Sequence, residues 1–364
     1  MTELKKRIIE NFEHLSHLSP REYLVYRKWE QLNSTRFTPE EKIRLSQLKN
    51  SLWYPEHPDD YLKIQPDLIF ADNKADTETW TMLRTFISGH IYNQNVGRTM
   101  RCFVIDRNSG KYLGVLNLAS DFIVIGPREK YIGWTKDNRT KDKRLNFLAM
   151  AQTICPTQPF GFNYTGGKLM ALVTCCDKFV NRWNAKYNKQ ALIGITTTSL
   201  FGRPSQYTRL KYWHDCGDTT GQQYLEPSEH IYQGMKEWMK TRYKKEYDII
   251  IGAGTGKVVS RPKSRVVSFV LNKLSISAPK NNAPRGVYFC LLYKEGLQFL
   301  RMEKQKILAE PLFDNRLEVL FDMWKTRYAK NRIKNTKDRI GEHLFYDDLV
   351  GISWRAAKEK YGGK

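Results

Sequence analysis

From residue 101 to residue 221, short apolar runs alternate with dense clusters of small, hydroxylated and cationic residues, and that alternation most constrains the fold. Residues 159–168, Pro-Phe-Gly-Phe-Asn-Tyr-Thr-Gly-Gly-Lys, lead at once into a helix-like run over 169–186. The next apolar run, 191–195, reads as a strand that breaks into Thr196, Thr197, Thr198 and Ser199 and then into Phe-Gly-Arg-Pro-Ser at 201–205. Two strands thus open into polar turns that feed helices, and such turns present backbone N–H groups and hydroxyls to an anion. The pattern predicts an α/β chain with a central mixed sheet.

The 364 residues suffice for two or three domains, or for one large domain with elaborations. With 41% hydrophobic and 13% aromatic residues a substantial core is expected, which argues against disorder. Sixty Lys and Arg face 38 Asp and Glu, a net charge of +22, and a field of that sign favours polyanions, nucleic acid above all. Charge alone does not separate DNA from RNA. The cysteines at 102, 155, 175, 176, 216 and 290 include no Cys-x-x-Cys pair, so they read as reduced thiols of a cytoplasmic protein. No signal-like N-terminus stands out, and no run approaches the roughly 18 apolar residues of a membrane span.

Three regions are expected: a helical N-terminal segment over 1–60, an α/β core over 65–225, and a basic C-terminal region over 226–364 with nucleic-acid-binding helices. Ser19-Pro-Arg-Glu22 and Thr38-Pro-Glu-Glu41 each place a hydroxyl, a proline and a glutamate as a capping box requires, so both open helices. A helix is expected over 80–90. Strands over 101–106 and 112–118 flank Arg-Asn-Ser-Gly at 107–110 and read as a hairpin. Residues 122–125 read as a third strand, and 146–154 as a strand or a short helix. Helices are expected over 205–216, 229–247 and 313–340, with a strong strand signal over 285–293.

The paired strand-turn-helix units follow the order of GNAT-type acyltransferases, in which two neighbouring strands splay and acyl-coenzyme A enters between them. Asn163, Thr165, Gly166, Gly167 and Lys168 would receive its pyrophosphate, and Thr196, Thr197, Thr198 and Ser199 would line the cleft. The usual phosphate loop of those enzymes, Arg/Gln-x-x-Gly-x-Gly/Ala, is not matched, and the two glycines serve equally to turn the chain into a helix. Ile-Ile-Ile-Gly-Ala-Gly-Thr-Gly-Lys at 249–257 fits neither a Walker loop nor a dinucleotide fingerprint and reads as a loop. For acid–base work Asp121, Tyr207 and His214 are the candidates, Tyr207 as acid and Asp121 as base. No spacing suits a metal; a nuclease would need convergent carboxylates, and the core offers Asp106, Asp121 and Asp177 without a recognisable spacing.

Nucleic-acid contact is expected from Lys325, Arg327, Lys330 and Arg332, with Trp324 and Tyr328 on one helix face, from Lys240 and Arg242 near Trp238, and from Arg128.

The segments at 112–118, 120–121, 132–134, 163–168, 194–199 and 285–289, with Arg128, Ser205, Tyr207 and Phe299-Leu-Arg301, resemble the domain of Druantia anti-phage system protein A and its phage-borne relatives. The resemblance covers roughly residues 75–305 and implies phage–host conflict and nucleic-acid contact rather than one reaction. In element order the chain is also remotely similar to Mom-type phage enzymes, which are GNAT-like and modify adenine in DNA. The expectation is therefore a phage or anti-phage DNA-acting protein that transfers an acyl group to a base. The alternatives are a non-catalytic nucleic-acid-binding protein of such a system and, last, a nuclease.

Overall fold

One seven-stranded mixed sheet organises the molecule. The computed structural model of the chain describes residues 3–33, 37–88, 97–140, 143–157, 166–187, 191–199, 204–219, 223–254, 259, 262–281, 285–307, 310–336 and 344–362. Its strands are β1 (Pro66–Phe70), β2 (Thr99–Asp106), β3 (Tyr112–Ser120), β4 (Leu148–Pro156), β5 (Gly194–Thr198), β6 (Trp213–Asp218), β7 (Gln223–Tyr224), β8 (Lys280–Asn281) and β9 (Gly286–Leu291). The large sheet runs β1-β2-β3-β4-β5-β9-β6, and β7 pairs with β8 apart from it. Every neighbour in the large sheet is antiparallel except β4 and β5. That parallel pair is in register only from Leu148↔Gly194 to Met150↔Thr196, although β4 continues to Pro156.

Local chemistry explains the elements. Gly110 takes φ 69° and donates to the Asp106 carbonyl, and the Asp106 carboxylate accepts from Ser109 N, so the 107–110 turn closes the β2–β3 hairpin. Both capping boxes form: Glu22 accepts from Ser19 N at 2.8 Å, and Glu41 from Thr38 N at 2.8 Å. At Gly194 a Cβ would lie 2.2 Å from the Phe289 ring, so β9 can approach β5 only over a residue without a side chain.

Each sheet face carries its own helices. On one, Gly166–Val173, Asp177–Lys186 and Leu317–Trp324 cover Cys102, Leu116, Ile195, Tyr288 and Cys290. On the other, Lys74–Ile87 lays Trp80 over Phe103 and Val115, and Gly126–Ile132 packs near Phe289. Beyond the sheet, the Glu3–Ser16 helix buries Ile8, Phe12 and Leu15 against Met235, Met239 and Val270 of the Glu229–Arg242 and Pro262–Lys273 helices. Leu344, Tyr346 and Leu349 share a core with Val25, Leu32 and Leu45, so both ends of the described chain interleave.

Several expectations need correction. Residues 122–125 are not a strand: Phe122, Ile123 and Val124 are exposed, and only Ile125 turns inward, because the apolar run lies in the connection from β3 to the next helix. The helix expected over 205–216 is instead a turn-rich loop followed by β6, which pairs with β9. The 169–186 run is two helices, and 229–247 divides into Glu229–Arg242 and Lys244–Ile251. The strand after residue 190 begins at Gly194, so Thr196, Thr197 and Thr198 are strand residues rather than a turn. The helix expected over 80–90 runs from Lys74 to Ile87. β9 comes from the region expected to be separate, so the boundary at 225 cuts through the sheet.

Candidate nucleic-acid interface

Where β4 and β5 part, the first of three chain-distant segments begins: the Gly166–Val173 helix, which carries Lys168 in its first turn. The second is the loop over 204–212, and the third is the long helix after Leu317, with a π-helical turn at Lys325–Ala329 and a last part over Lys330–Thr336. They meet at Tyr328. Its hydroxyl accepts from Lys211 N at 2.8 Å and donates to the Arg209 carbonyl at 3.3 Å. Lys168 Nζ donates to the Thr208 carbonyl at 2.5 Å and sits 5.2 Å from the Tyr328 ring centre.

The loop so held is strained, since Arg209 and Tyr212 adopt φ of 56° and 72°. For residues with a Cβ the left-handed region costs about 1–2 kcal/mol each, and it persists where surrounding contacts over-determine it. The Tyr212 ring stacks on Phe313 with centroids 3.8 Å apart and planes 8° apart, with Lys211 Nζ 5.0 Å from the Tyr212 ring.

Charge is one-sided here. Arg209, Lys211, Arg327 and Lys330 are exposed, and among the described residues no carboxylate pairs with them or with Lys168. Lys325 is partnered, by Asp322 at 2.8 Å. Burial, and next the Arg332 guanidinium, lower the Lys168 ammonium from its ordinary value to about 8. An anion at this ridge would relieve that repulsion. Beside it, Trp53, Tyr61, Leu113, Pro156, Leu169 and Trp324 help to line an apolar hollow of about 300 Å³, counting the solvent at its mouth, which also touches Gly166.

The candidate acid–base residues do not assemble. Thr196 faces Phe289 and Thr197 faces Tyr288 across the β5–β9 ladder, so adjacent residues mark opposite sheet faces. Tyr207 lies on the face of Lys168, stacked on Tyr288 at 4.6 Å, and burial raises its phenol well above the ordinary value. Asp121 is on the other face: its oxygens take Thr196 Oγ1 at 2.6 Å, Phe122 N at 2.8 Å and Arg128 Nη1 at 2.8 Å. Arg128 is fully buried and also bridges Glu129 at 2.8 Å, which in turn pairs with Arg139. It is therefore a structural cation, not a surface one as expected. His214 stacks on Tyr131 at 4.0 Å, exposed on the edge strand β6.

The hydroxyls expected to line a cleft are mostly committed elsewhere. Thr197 Oγ1 donates to the Ala151 carbonyl at 2.9 Å, Gln206 Nε2 to the Ile154 carbonyl at 3.1 Å, and Ser199 Oγ accepts from Gly286 N at 2.8 Å. Side chains thus stitch β4 to the β5 side where the backbone ladder stops. Thr198 is half-buried at the end of β5. Gly166 and Gly167 open the helix, with Pro156 and Gln206 against their α-carbons. Asn163 and Thr165 lie outside the described residues.

Of the cations expected to meet nucleic acid, Arg327, Lys330 and Arg332 stand at the ridge; Trp324 is buried in the core, and Tyr328 is partly buried against the same cluster. Lys240 and Arg242 lie elsewhere, on the Glu229–Arg242 helix, with Lys240 paired to Glu237. Sequence reasoning missed Lys168 as a partner of that helix, Arg209 and Lys211 as members of the site, and the stacking of Tyr212 on Phe313. A usable signal was present: between Asp142 and Asp215 the sequence holds a single acid, Asp177, and none occurs from 323 to 337.

Among the described residues no group of three or more His, Cys, Asp or Glu is placed to hold a metal ion. Asp106 caps its own turn, and Asp177 holds Lys178 N and accepts no partner from Asp121's network. All six cysteines are free thiols. Among the described residues no helix is long and apolar enough to cross a membrane.

Comparison with known proteins gives one consistent answer. The family model described as Druantia protein DruA matches residues 37–302. Druantia protein DruA of Escherichia coli (strain UMEA 4076-1) is 28% identical over 160 residues, which are 40% of this chain and 39% of that protein. The match thus spans about two-fifths of the relative, and the helix carrying Tyr328 lies beyond the family match. No solved structure matches the chain.

Proposed function

The chain belongs to the family of Druantia protein DruA, and from that premise we propose that it serves anti-phage defence in the cytoplasm by acting on nucleic acid, DNA in the first instance. One observation carries the reading: three acid-poor segments converge at Tyr328 and leave Lys168, Arg209, Lys211, Arg327 and Lys330 without a carboxylate among the described residues. Such a cluster neutralises phosphates and gains from the counterions they release, so binding must weaken as salt rises. Titrating a labelled DNA oligonucleotide at increasing salt tests this directly. A flat response removes phosphate contact from the reading. Replacing Lys325, Arg327 and Lys330 together by Glu weakens binding; unchanged affinity moves the contact surface elsewhere.

A second reading, transfer of an acyl group to a DNA base, is supported by the strand order and by the parallel pair that parts after Met150↔Thr196. In GNAT-type enzymes that gap admits acyl-coenzyme A, and here the helix opening at Gly166 and the Lys168 ammonium would receive its pyrophosphate. Against it, Thr197 and Gln206 already occupy two β4 carbonyls beside the gap. Of Asp121, Tyr207 and His214, Tyr207 alone shares the face of that gap. Mass spectrometry of the purified protein for bound coenzyme A, with nucleoside analysis of exposed DNA, decides between the readings. Absence of both signals leaves the binding reading alone.

A further inference from the structure

Cations explain attraction to any nucleic acid, but the loop beside them carries something a duplex cannot use. Tyr212 holds a left-handed backbone at φ 72°, two residues after Leu210 and directly before β6, and its ring lies flat on Phe313 at 3.8 Å. Both rings are half-buried, on the rim of the ridge rather than inside the core. The loop is tied at three places, by Tyr328 Oη, by Lys168 Nζ and by Gln206 Nε2. A Gly or Asn would take the φ of Tyr212 with less strain, so the position keeps a large aromatic ring against the local backbone preference.

We propose that the Tyr212–Phe313 stack and the adjoining cations Lys211, Arg209 and Lys168 form a binding surface for single-stranded nucleic acid, with an unpaired base extending the ring stack. This rests on the nucleic-acid reading above. In a duplex both faces of each base are covered by its neighbours, so parallel rings beside a row of cations add nothing to duplex binding beyond charge. A splayed strand offers bare base faces at the same spacing as its phosphates, and aromatic platforms within basic grooves recognise that combination without reading sequence. Lys211 Nζ lies over the Tyr212 ring. A base that enters the stack takes its place, and the displaced ammonium is left beside the phosphate of that nucleotide.

The test measures binding of the full chain to labelled oligothymidine about 15 nucleotides long and to a blunt duplex of similar length, by fluorescence anisotropy at one salt concentration. The single strand is expected to bind more tightly. Tyr212→Gly removes the ring and relieves the left-handed backbone, and Phe313→Leu keeps apolar bulk without a flat face, so both variants are expected to fold. Each lowers single-strand affinity by about tenfold and leaves duplex affinity unchanged, and Tyr212→Trp restores it. Equal or tighter duplex binding, or ring variants that leave single-strand affinity untouched, overturns the inference while the nucleic-acid reading stands. If neither polymer binds, both readings are overturned.

Discussion

Two regions, one on each face of the sheet, place arginines in opposite surroundings. On one face Arg128 is buried between Asp121 and Glu129, and Glu129 reaches on to Arg139, so both arginines of this network have an acid. On the other, Lys168, Arg209, Lys211, Arg327 and Lys330 share a ridge with tyrosines and backbone carbonyls but with no carboxylate among the described residues. The first arrangement is self-contained and fixes the connection from β3 into the Gly126–Ile132 helix. The second has no such internal counter-charge among the described residues. The acids beside Arg128, not its residue type or its place in a motif, mark it as a structural cation.

The comparison breaks most sharply at Asp121. Asp121→Ala leaves Arg128 buried without its counter-charge and is expected to lower stability by about 3–5 kcal/mol, read as a fall in urea midpoint at unchanged slope. A variant that keeps its midpoint but loses activity would return Asp121 to a catalytic role. Thr196→Val removes the hydroxyl that donates to the same carboxylate at 2.6 Å, and a hydrogen bond to a charged group is worth about 1.5–3 kcal/mol. Thermal denaturation checks that value, and no change in nucleic-acid affinity should accompany it.

On the opposite face the effects are on binding. Arg327→Glu with Lys330→Glu is expected to leave the denaturation midpoint within about 0.5 kcal/mol of the parent while lowering the slope of log affinity against log salt by about 1 to 2. The smallest effect is a pH dependence. Free Lys168 titrates near 8 because burial and Arg332 disfavour its charge. A bound anion favours the charged form and raises that value. Affinity is therefore full below about pH 8 and falls as pH rises past it, by less than tenfold per unit. Lys168→Arg stays charged throughout and should flatten the curve.

Much of the scaffold was legible. Arg-Asn-Ser-Gly at 107–110 specified the hairpin, the two hydroxyl-Pro-x-Glu boxes specified helix starts, and the apolar run at 285–293 held the strand β9. Other elements were hidden for definite reasons. Residues 122–125 have strand-like composition, but Asp121 and Arg128 pin them as a loop, a tertiary override that no local pattern contains. Residues 213–218 lack apolar alternation because β6 is an edge strand with one exposed side, so the region passed for a helix. Trp324 and Tyr328 do share a face, but that face packs on the core, which composition alone did not distinguish from a base-stacking one. The ridge was least legible of all, since its members come from three segments far apart in sequence. Its one sequence trace is negative: the near absence of acids from 143 to 214 and again from 323 to 337.

Strand β9 inserts between β5 and β6, although both precede it by some distance along the chain. During synthesis, therefore, the pairing edges of β5 and β6 emerge well before the segment that will join them, and neither can find its partner until Leu291 has left the ribosome. The nascent protein passes through an interval in which one edge of β5 and the whole of β6 are a bare template for foreign strands. Its vulnerability to misassembly is concentrated there, in the delay between two hydrogen-bonding rows and the strip that closes them.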